Sequence, residues 1–428
     1  MSRSVIFIVL IGVNLSILLN GCFTSSKLSN QNISSMYKKE SVDVQPDYIV
    51  YHNSKMESIL YFKINSKELL YTKQPNGYFG CKVHLNYKIK TGIDSKEILD
   101  SATTIISDYM ENDQLTGKDM YGKIEMKAPI GNSYILEITL TDINRNQDFV
   151  TYLQLDKYSI HSNQNFLVCA NNTKIPSFKN HFPYNEKVNI TYSQAIGSKL
   201  YVRYYKKDFP IASPPFSVAA IKSFDYKCDS TFTLDLSDSL TTTVTIPAKG
   251  FLHITADTLQ KQGLTLYSFY NYFPEVSAPE QLVYPLIYIT SQQEYNALLS
   301  APNKKQAVEE FWVKIGGSKE RARDLIKKYY GRVIESNKHF TSYLEGWKTD
   351  RGMIYIIYGA PNYVYRTANS ESWTYGEENN LMSLNYTFIK VINPFTNNDY
   401  SIDRSSIYKD RWYRAVDIWR QGRIYLDN

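Results

Sequence analysis

Cysteine is scarce in this chain: Cys22, Cys81, Cys169 and Cys228 are the four among 428 residues. They lie far apart, form no CxxC pair and have no histidine cluster beside them, which argues against a structural zinc site. An oxidising compartment would let two of the last three pair, but spacing does not choose which, and burial as small apolar side chains is the simpler expectation. The six histidines, His52, His84, His161, His181, His253 and His339, stand singly with no HExxH, so no metal hydrolase is indicated. No GxSxG elbow is present, and the SxxK spacings at Ser35–Lys38 and Ser406–Lys409 lack companion motifs. Gly77 and Gly80 sit among strand-forming residues, not at the strand-to-helix junction of a phosphate loop. No cofactor or metal is expected. Charge of one sign is also lacking: the net charge is +6, and the lysines form scattered doublets such as Lys206-Lys207 and Lys327-Lys328, not a stripe that would track nucleic acid.

Long apolar runs are absent except at the start. There Arg3 precedes the uncharged run Ser4 to Leu19, shorter than the roughly 20 residues of a bilayer span and laid out as a cleaved signal. Leu19-Asn20-Gly21-Cys22 resembles the lipobox of bacterial lipoproteins. The resemblance implies cleavage before Cys22, leaving residues 1–21 as signal peptide, and lipidation of the Cys22 thiol. Acyl chains whose buried methylenes contribute about 0.8 kcal/mol each then hold the protein on a membrane. Residues 22–45 open on a Ser/Asn-rich stretch with little to bury and are expected to form a flexible tether. No acidic residue precedes Glu40, whereas lipoproteins displayed outside Bacteroidota-like cells usually carry acids just after the cysteine. The expected place is therefore the outer membrane, facing the periplasm.

What is abundant is tyrosine, 37 copies, which suits half-buried strands first and interaction faces second. From about residue 46 to 280 apolar residues alternate. Tyr134, Leu136, Ile138 and Leu140 face one way, Asp142 to Gln147 form a turn, and Phe149, Thr151, Leu153 and Leu155 return, which is a hairpin. Phe232, Leu234 and Leu236 repeat the alternation, and Val244 to Ile246 resumes it after a break. The length suits two antiparallel β-sandwich modules, residues 46–160 and 161–280, with breaks near Asn171-Asn172 and Pro214-Pro215. The period then changes. Ser291 to Tyr295 reads as a helix start, Val308, Phe311, Trp312 and Ile315 as a helical stripe, and Ala322 to Val333 after Gly316-Gly317-Ser318 as a second core-facing helix. Phe311 and Trp312 suit packing better than an aromatic binding box.

One motif is specific: Gly346-Trp347-Lys348-Thr349-Asp350-Arg351-Gly352, followed by Met353-Ile354-Tyr355-Ile356-Ile357-Tyr358-Gly359-Ala360-Pro361-Asn362. Thr349 and Asp350 supply acceptors for a turn, Gly352 is suited to a positive φ, and Met353 to Tyr358 reads as a buried strand stopped by Gly359 and Pro361. With the preceding helices, Asn337 to Phe340, Trp373-Thr374-Tyr375 and the strand around Tyr386 to Phe388, the sequence resembles the GWxTD family of envelope proteins and lipoproteins. The resemblance spans roughly residues 280–428 and implies a C-terminal α+β domain, a helix pair with a small sheet, over 281–428. It implies an envelope location and supplies no reaction. Asn362 stands where the family usually has Asp.

Asp350 beside Arg351 between two glycines suits orientation of a ligand carboxylate or phosphate; the plainer expectation is that Asp350 caps a turn, Arg351 pairs with a nearby acid and Trp347 plugs a core. No nucleophile adjoins them. Two functions follow. The preferred one is a scaffold or partner-binding lipoprotein without catalysis, touching the membrane through Cys22 and an envelope protein through its folded part. The alternative is a periplasmic hydrolase or other enzyme acting on peptide or glycan near the Gly346–Gly352 turn.

Overall fold

The computed structural model describes residues 32–38, 44–93, 95–111, 117–170, 173–194, 199–217, 225–237 and 240–425. Residues 1–21, expected to be a signal peptide, Cys22 and Asn171-Asn172 lie outside them.

In the first β region, strands β1 (Asp47–Tyr51), β2 (Glu57–Asn65), β3 (Thr72–Lys73), β4 (Phe79–Lys90), β5 (Ile98–Met110), β6 (Asp119–Lys127), β7 (Ser133–Asp142) and β8 (Gln147–Asp156) pair antiparallel throughout. One sheet runs β1-β2-β6; the other joins β5 to β4, then β7 and β8, with β3 beside β4. Alternation puts Leu60, Phe62 and Ile64 of β2 against Val83, Leu85 and Ile89 of β4 and Leu136, Ile138 and Leu140 of β7 in one core. The β7–β8 hairpin has the expected register, Tyr134 opposite Leu155 and Asp142 opposite Gln147. Its turn is held by the buried Asp142 carboxylate, which accepts from the Asn144 and Arg145 amides at 3.0 and 3.2 Å.

The second β region holds β9 (Phe166–Ala170), β10 (Lys187–Tyr192), β11 (Lys199–Tyr205), β12 (Ser230–Asp235), β13 (Thr241–Thr245), β14 (Gly250–Thr255) and β15 (Leu264–Ser268). The order β13-β10-β9 faces β12-β11-β14-β15, with Val188, Ile190, Leu200, Val202, Ile254 and Leu266 between them. Cys81, Cys169 and Cys228 are free thiols, and burial pushes those of Cys81 and Cys169 above the ordinary range.

Helices α1 (Pro279–Val283), α2 (Gln292–Ser300), α3 (Lys304–Gly316), α4 (Lys319–Phe340) and α5 (Asp350–Tyr358) follow. They precede strands β16 (Tyr363–Arg366), β17 (Ser370–Tyr375), β18 (Leu384–Lys390) and β19 (Tyr400–Ile402), and helix α6 (Lys409–Arg420). Ser291 and Glu294 close a capping box on α2, Gly317 ends α3 at φ 72°, and Ser318 caps α4. The buried stripe of α4 carries Ala322, Leu325, Tyr329, Tyr330 and Val333.

Two expectations fail here. Met353 to Tyr358 is helical, not a strand. The Thr349 hydroxyl accepts from the Gly352 amide at 3.1 Å and donates to the Gly346 carbonyl at 2.8 Å, capping the helix, which is buried on every face. An all-round apolar helix reads like an inner strand, and a β preference of about 1 kcal/mol yields to packing. Gly352 lies in this helix without a positive φ. It is needed for close approach instead, since a Cβ there would sit 1.9 Å from the Gly346 carbonyl oxygen.

Part of the segment expected as a tether packs on the fold. Residues 32–38 lie against the C-terminal sheet, Ile33 N donating to Val364 O at 3.0 Å and Val364 N to Asn32 Oδ1 at 2.9 Å, with Tyr37 in the same core as α4 and α5.

Candidate functional site

The Gly346–Gly352 segment turns from α4 into α5, and each of its side chains is engaged inside the fold. Gly346 begins a single 3₁₀ turn pressed on α4, where a Cβ would sit 1.9 Å from the Ser336 carbonyl oxygen. Trp347 is buried; its amide donates to Asn337 Oδ1 at 3.2 Å and its carbonyl accepts from the Tyr288 hydroxyl at 2.9 Å. Asn337 in turn donates to Pro274 O at 3.1 Å, so one amide side chain ties the motif to the segment leading out of the second sandwich.

Asp350 does not cap the turn. Its carboxylate takes Arg404 in bidentate fashion, at 2.6 Å on Oδ1 and 3.1 Å on Oδ2, and accepts the Ile402 amide of β19 at 2.9 Å. Arg351 points elsewhere. It is 2% exposed, donates to Glu371 Oε2 at 3.4 Å, to the Asn398 carbonyl at 3.0 Å and to the Asn398 side chain. Its guanidinium also lies over the Tyr400 ring, 4.1 Å from the centroid. The acid it pairs with, Glu371, is fully buried and accepts from the Tyr37 hydroxyl at 2.8 Å, Trp373 Nε1 at 2.6 Å and Arg366 Nε at 2.9 Å. Burial alone would raise the Glu371 carboxyl, but Arg366, Arg351 and these hydrogen bonds hold it below the usual carboxylate range. Asp399, near Asp350, goes the other way: burial pushes it up to about 6.

Asn362 has a structural place. Its Oδ1 accepts the Gly376 amide at 3.0 Å, a bond an aspartate at this position would make equally well. Among the described residues no cluster of His, Cys, Asp or Glu is arranged to hold a metal.

Residues 250–421 match the family model of the GWxTD domain. The chain contains a GWxTD domain. The match begins ahead of residue 280, where the helical period starts, and takes in β14 and β15. Packing accounts for that extent: Phe251 and Tyr267 from these strands share a cluster with Phe395 of the GWxTD domain, and the Tyr267 hydroxyl donates to Phe395 O at 2.6 Å. No curated protein matches the chain. Among solved structures, the C-terminal 282-residue fragment of intimin, in complex with the intimin-binding domain of its translocated receptor, aligns at 9% identity. That alignment covers 84% of this chain and 98% of that one with a TM-score of 0.14, and at this score the likeness carries no argument.

A second place, absent from the sequence reading, is a cleft of about 740 Å³ where the two sandwiches meet the segment entering the GWxTD domain's helices. Tyr121, Phe178, Tyr184, Tyr270, Tyr272 and Phe273 line it, with Lys63, Asp119, Lys179 and Glu186 among them. Tyr121 and Tyr184 are each 49% exposed and Tyr272 77%. Tyr272 also holds φ at 68°, a left-handed conformation that a non-glycine residue adopts at a cost of about 1–3 kcal/mol. Four stretches far apart in sequence build this wall, so no local pattern marks it. The abundance of tyrosine was the available signal.

Proposed function

We propose that the chain is a lipid-anchored envelope protein, held through Cys22 on the outer membrane facing the periplasm, whose folded part binds a partner and performs no catalysis. The observation that carries this reading is the contrast between the motif and the cleft. The polar groups of Asp350 and Arg351 are taken up by Arg404, Ile402, Glu371 and Asn398, which leaves them no free face for a substrate. Exposed rings gather in the cleft instead, and aromatic side chains offer large contact area at low entropic cost, as partner-binding surfaces require.

The test is affinity purification of the tagged protein from its own membranes, beside a Tyr184→Ala/Tyr272→Ala variant. A partner retained by the parent and depleted at least about tenfold by the variant, the loss of roughly 1.4 kcal/mol or more, supports the reading. A partner recovered equally with both places binding elsewhere. Hydrolysis of peptidoglycan or peptide that disappears in Asp350→Asn at unchanged thermal stability would establish the enzyme instead.

A further inference from the structure

Residues 32–38 enter the GWxTD domain at one defined end of its sheet. Asn32 Nδ2 and Ser34 Oγ donate to Asn362 O at 3.2 and 2.8 Å, and Asn362 stands at the base of the β17–β18 connection, its amide bonded to Thr374 O and its Oδ1 to the Gly376 amide. From Asn32 the chain runs along β16 toward Arg366, whose Nη2 donates to the Tyr37 hydroxyl at 2.9 Å. Asn32 therefore lies at the end of the sheet that carries the β17–β18 connection, residues 376–383.

That connection presents two apolar side chains outward, Leu381 at 97% and Met382 at 77% exposure. It is braced from within: Asn380 Oδ1 accepts the Met382 amide at 2.8 Å, Ser383 Oγ donates to Glu377 O at 2.8 Å, and Asn380 Nδ2 donates to Glu377 Oε2 at 3.2 Å. Arg411 of α6 donates to the Met382 carbonyl at 2.8 Å, bringing a cation to the same end. Asn380 and Ser383 thus bond within the loop and Glu378 accepts the Tyr365 hydroxyl at 2.6 Å, while the Glu377 and Glu378 side chains stay exposed beside the two outward apolar ones.

We infer that this end of the GWxTD domain rests on the membrane and that Leu381 and Met382 dip into the phospholipid surface. The inference builds on the lipid-anchor reading, and chain length is what commits the tip to that occupant. Cys22 lies ten positions before Asn32, a reach of at most about 35 Å, so the anchor holds this face, and not the sandwiches, beside the bilayer. A tip already held at the surface inserts without the translational cost of capture from solution, so two side chains suffice. The GWxTD domain is then the membrane-proximal module, and the cleft faces away.

The test uses the mature chain with a hexahistidine segment replacing Cys22, captured on vesicles of phosphatidylethanolamine and phosphatidylglycerol that carry a nickel-chelating lipid and brominated acyl chains. Capture fixes the membrane at position 22 whether or not the native cysteine is acylated, while acyl labelling in cells tests the anchor separately. The five native tryptophans, Trp312, Trp347, Trp373, Trp412 and Trp419, are all buried and give a steady background. Leu381→Trp adds an indole at the tip; Leu259→Trp adds one at an 88% exposed position of the second sandwich. The expected result is a blue shift and loss of the added emission for Leu381→Trp on brominated vesicles, with the Leu259→Trp emission unchanged. An added Leu381→Trp emission as bright as in buffer, or equal loss at both positions, overturns the inference.

Discussion

In the first sandwich the buried side chains of β2, β4 and β7 are apolar but for Ser58 and Asp142, and Asp142 holds its own turn together with the Leu70 amide at 3.3 Å. In the GWxTD domain charged groups sit inside and bond to residues far along the chain. Arg332 donates to Ile356 O and Ile357 O at 3.1 and 2.9 Å, capping the end of α5, while Arg351 and Glu371 meet at the centre. A sandwich core accepts many apolar substitutions of similar volume, because one alternating side chain replaces another. A buried charge accepts almost none, since removing one partner strands the other. The two regions thus reach stability by different means, one tolerant of change and one specific.

The largest expected separation comes from Glu371→Gln, which leaves Arg351 and Arg366 without their counter-charge, and from Trp347→Ala, which empties a core site. Each should lower the stability of the GWxTD domain by about 3–5 kcal/mol in chemical denaturation, while Ile138→Val in the first sandwich costs about 0.5–1.5 kcal/mol. Equal losses would mean that the buried charges confer no special sensitivity.

Acid should divide the regions in the opposite sense. His52 donates through Nε2 to the Asp156 carbonyl and His253 to that of Lys261, each with a hydroxyl on Nδ1, Ser58 and Thr265 respectively. Burial, then neighbouring Lys157 for His52, lowers the first to about 4 from 6.5; burial lowers the second to about 4 as well, with Arg203 adding. These neutral rings contribute stability that is present above pH 6.5 and lost as pH falls toward 4, on the order of a few kcal/mol each. Asp399, raised by burial from 3.8 to about 6, contributes in the other direction: its share is full below 3.8 and lost as pH rises through 6. Between pH 6.5 and 4.5 the sandwiches should weaken against the helices and small sheet of residues 279–420, which thermal unfolding followed by hydrogen exchange region by region would reveal.

Smaller effects sharpen the contrast further. Asp350→Asn keeps an acceptor for the Ile402 amide but loses the charge facing Arg404, a cost of about 1.5–3 kcal/mol by thermal unfolding. Tyr37→Phe keeps the ring and drops one hydroxyl between Glu371 and Arg366, about 1 kcal/mol, and should raise hydrogen exchange over residues 32–38 ahead of the rest.

The sandwiches were legible because β-strand alternation is local: Tyr134 to Leu140 states its inward face outright, and Ser291, Gly317 and Ser318 mark helix ends with their own side chains. What was hidden depends on distance. Helix α5 has no polar face to betray its period, so Met353 to Tyr358 read as a strand. The partners of Asp350 and Arg351, Arg404 and Glu371, lie on other elements, and the cleft needs Tyr121, Phe178 and Tyr272 brought together. Gly352 was recognised as necessary for the wrong reason, a positive φ in place of a close backbone approach.

The seat of Tyr37 has a consequence for synthesis. Its hydroxyl meets Glu371, 334 residues further on. Closing so long a loop costs little more than closing a short one, about 0.6 kcal/mol per doubling, but the second half of the contact does not exist until the chain is nearly finished. The sandwiches can close as soon as their own strands emerge, whereas the Tyr37 hydroxyl has no carboxylate to meet, and its ring no Trp373 beside it, until β17 has been made. A chain broken off before Glu371 leaves the Tyr37 hydroxyl without its carboxylate, so a fully bonded Tyr37 marks a chain completed through β17.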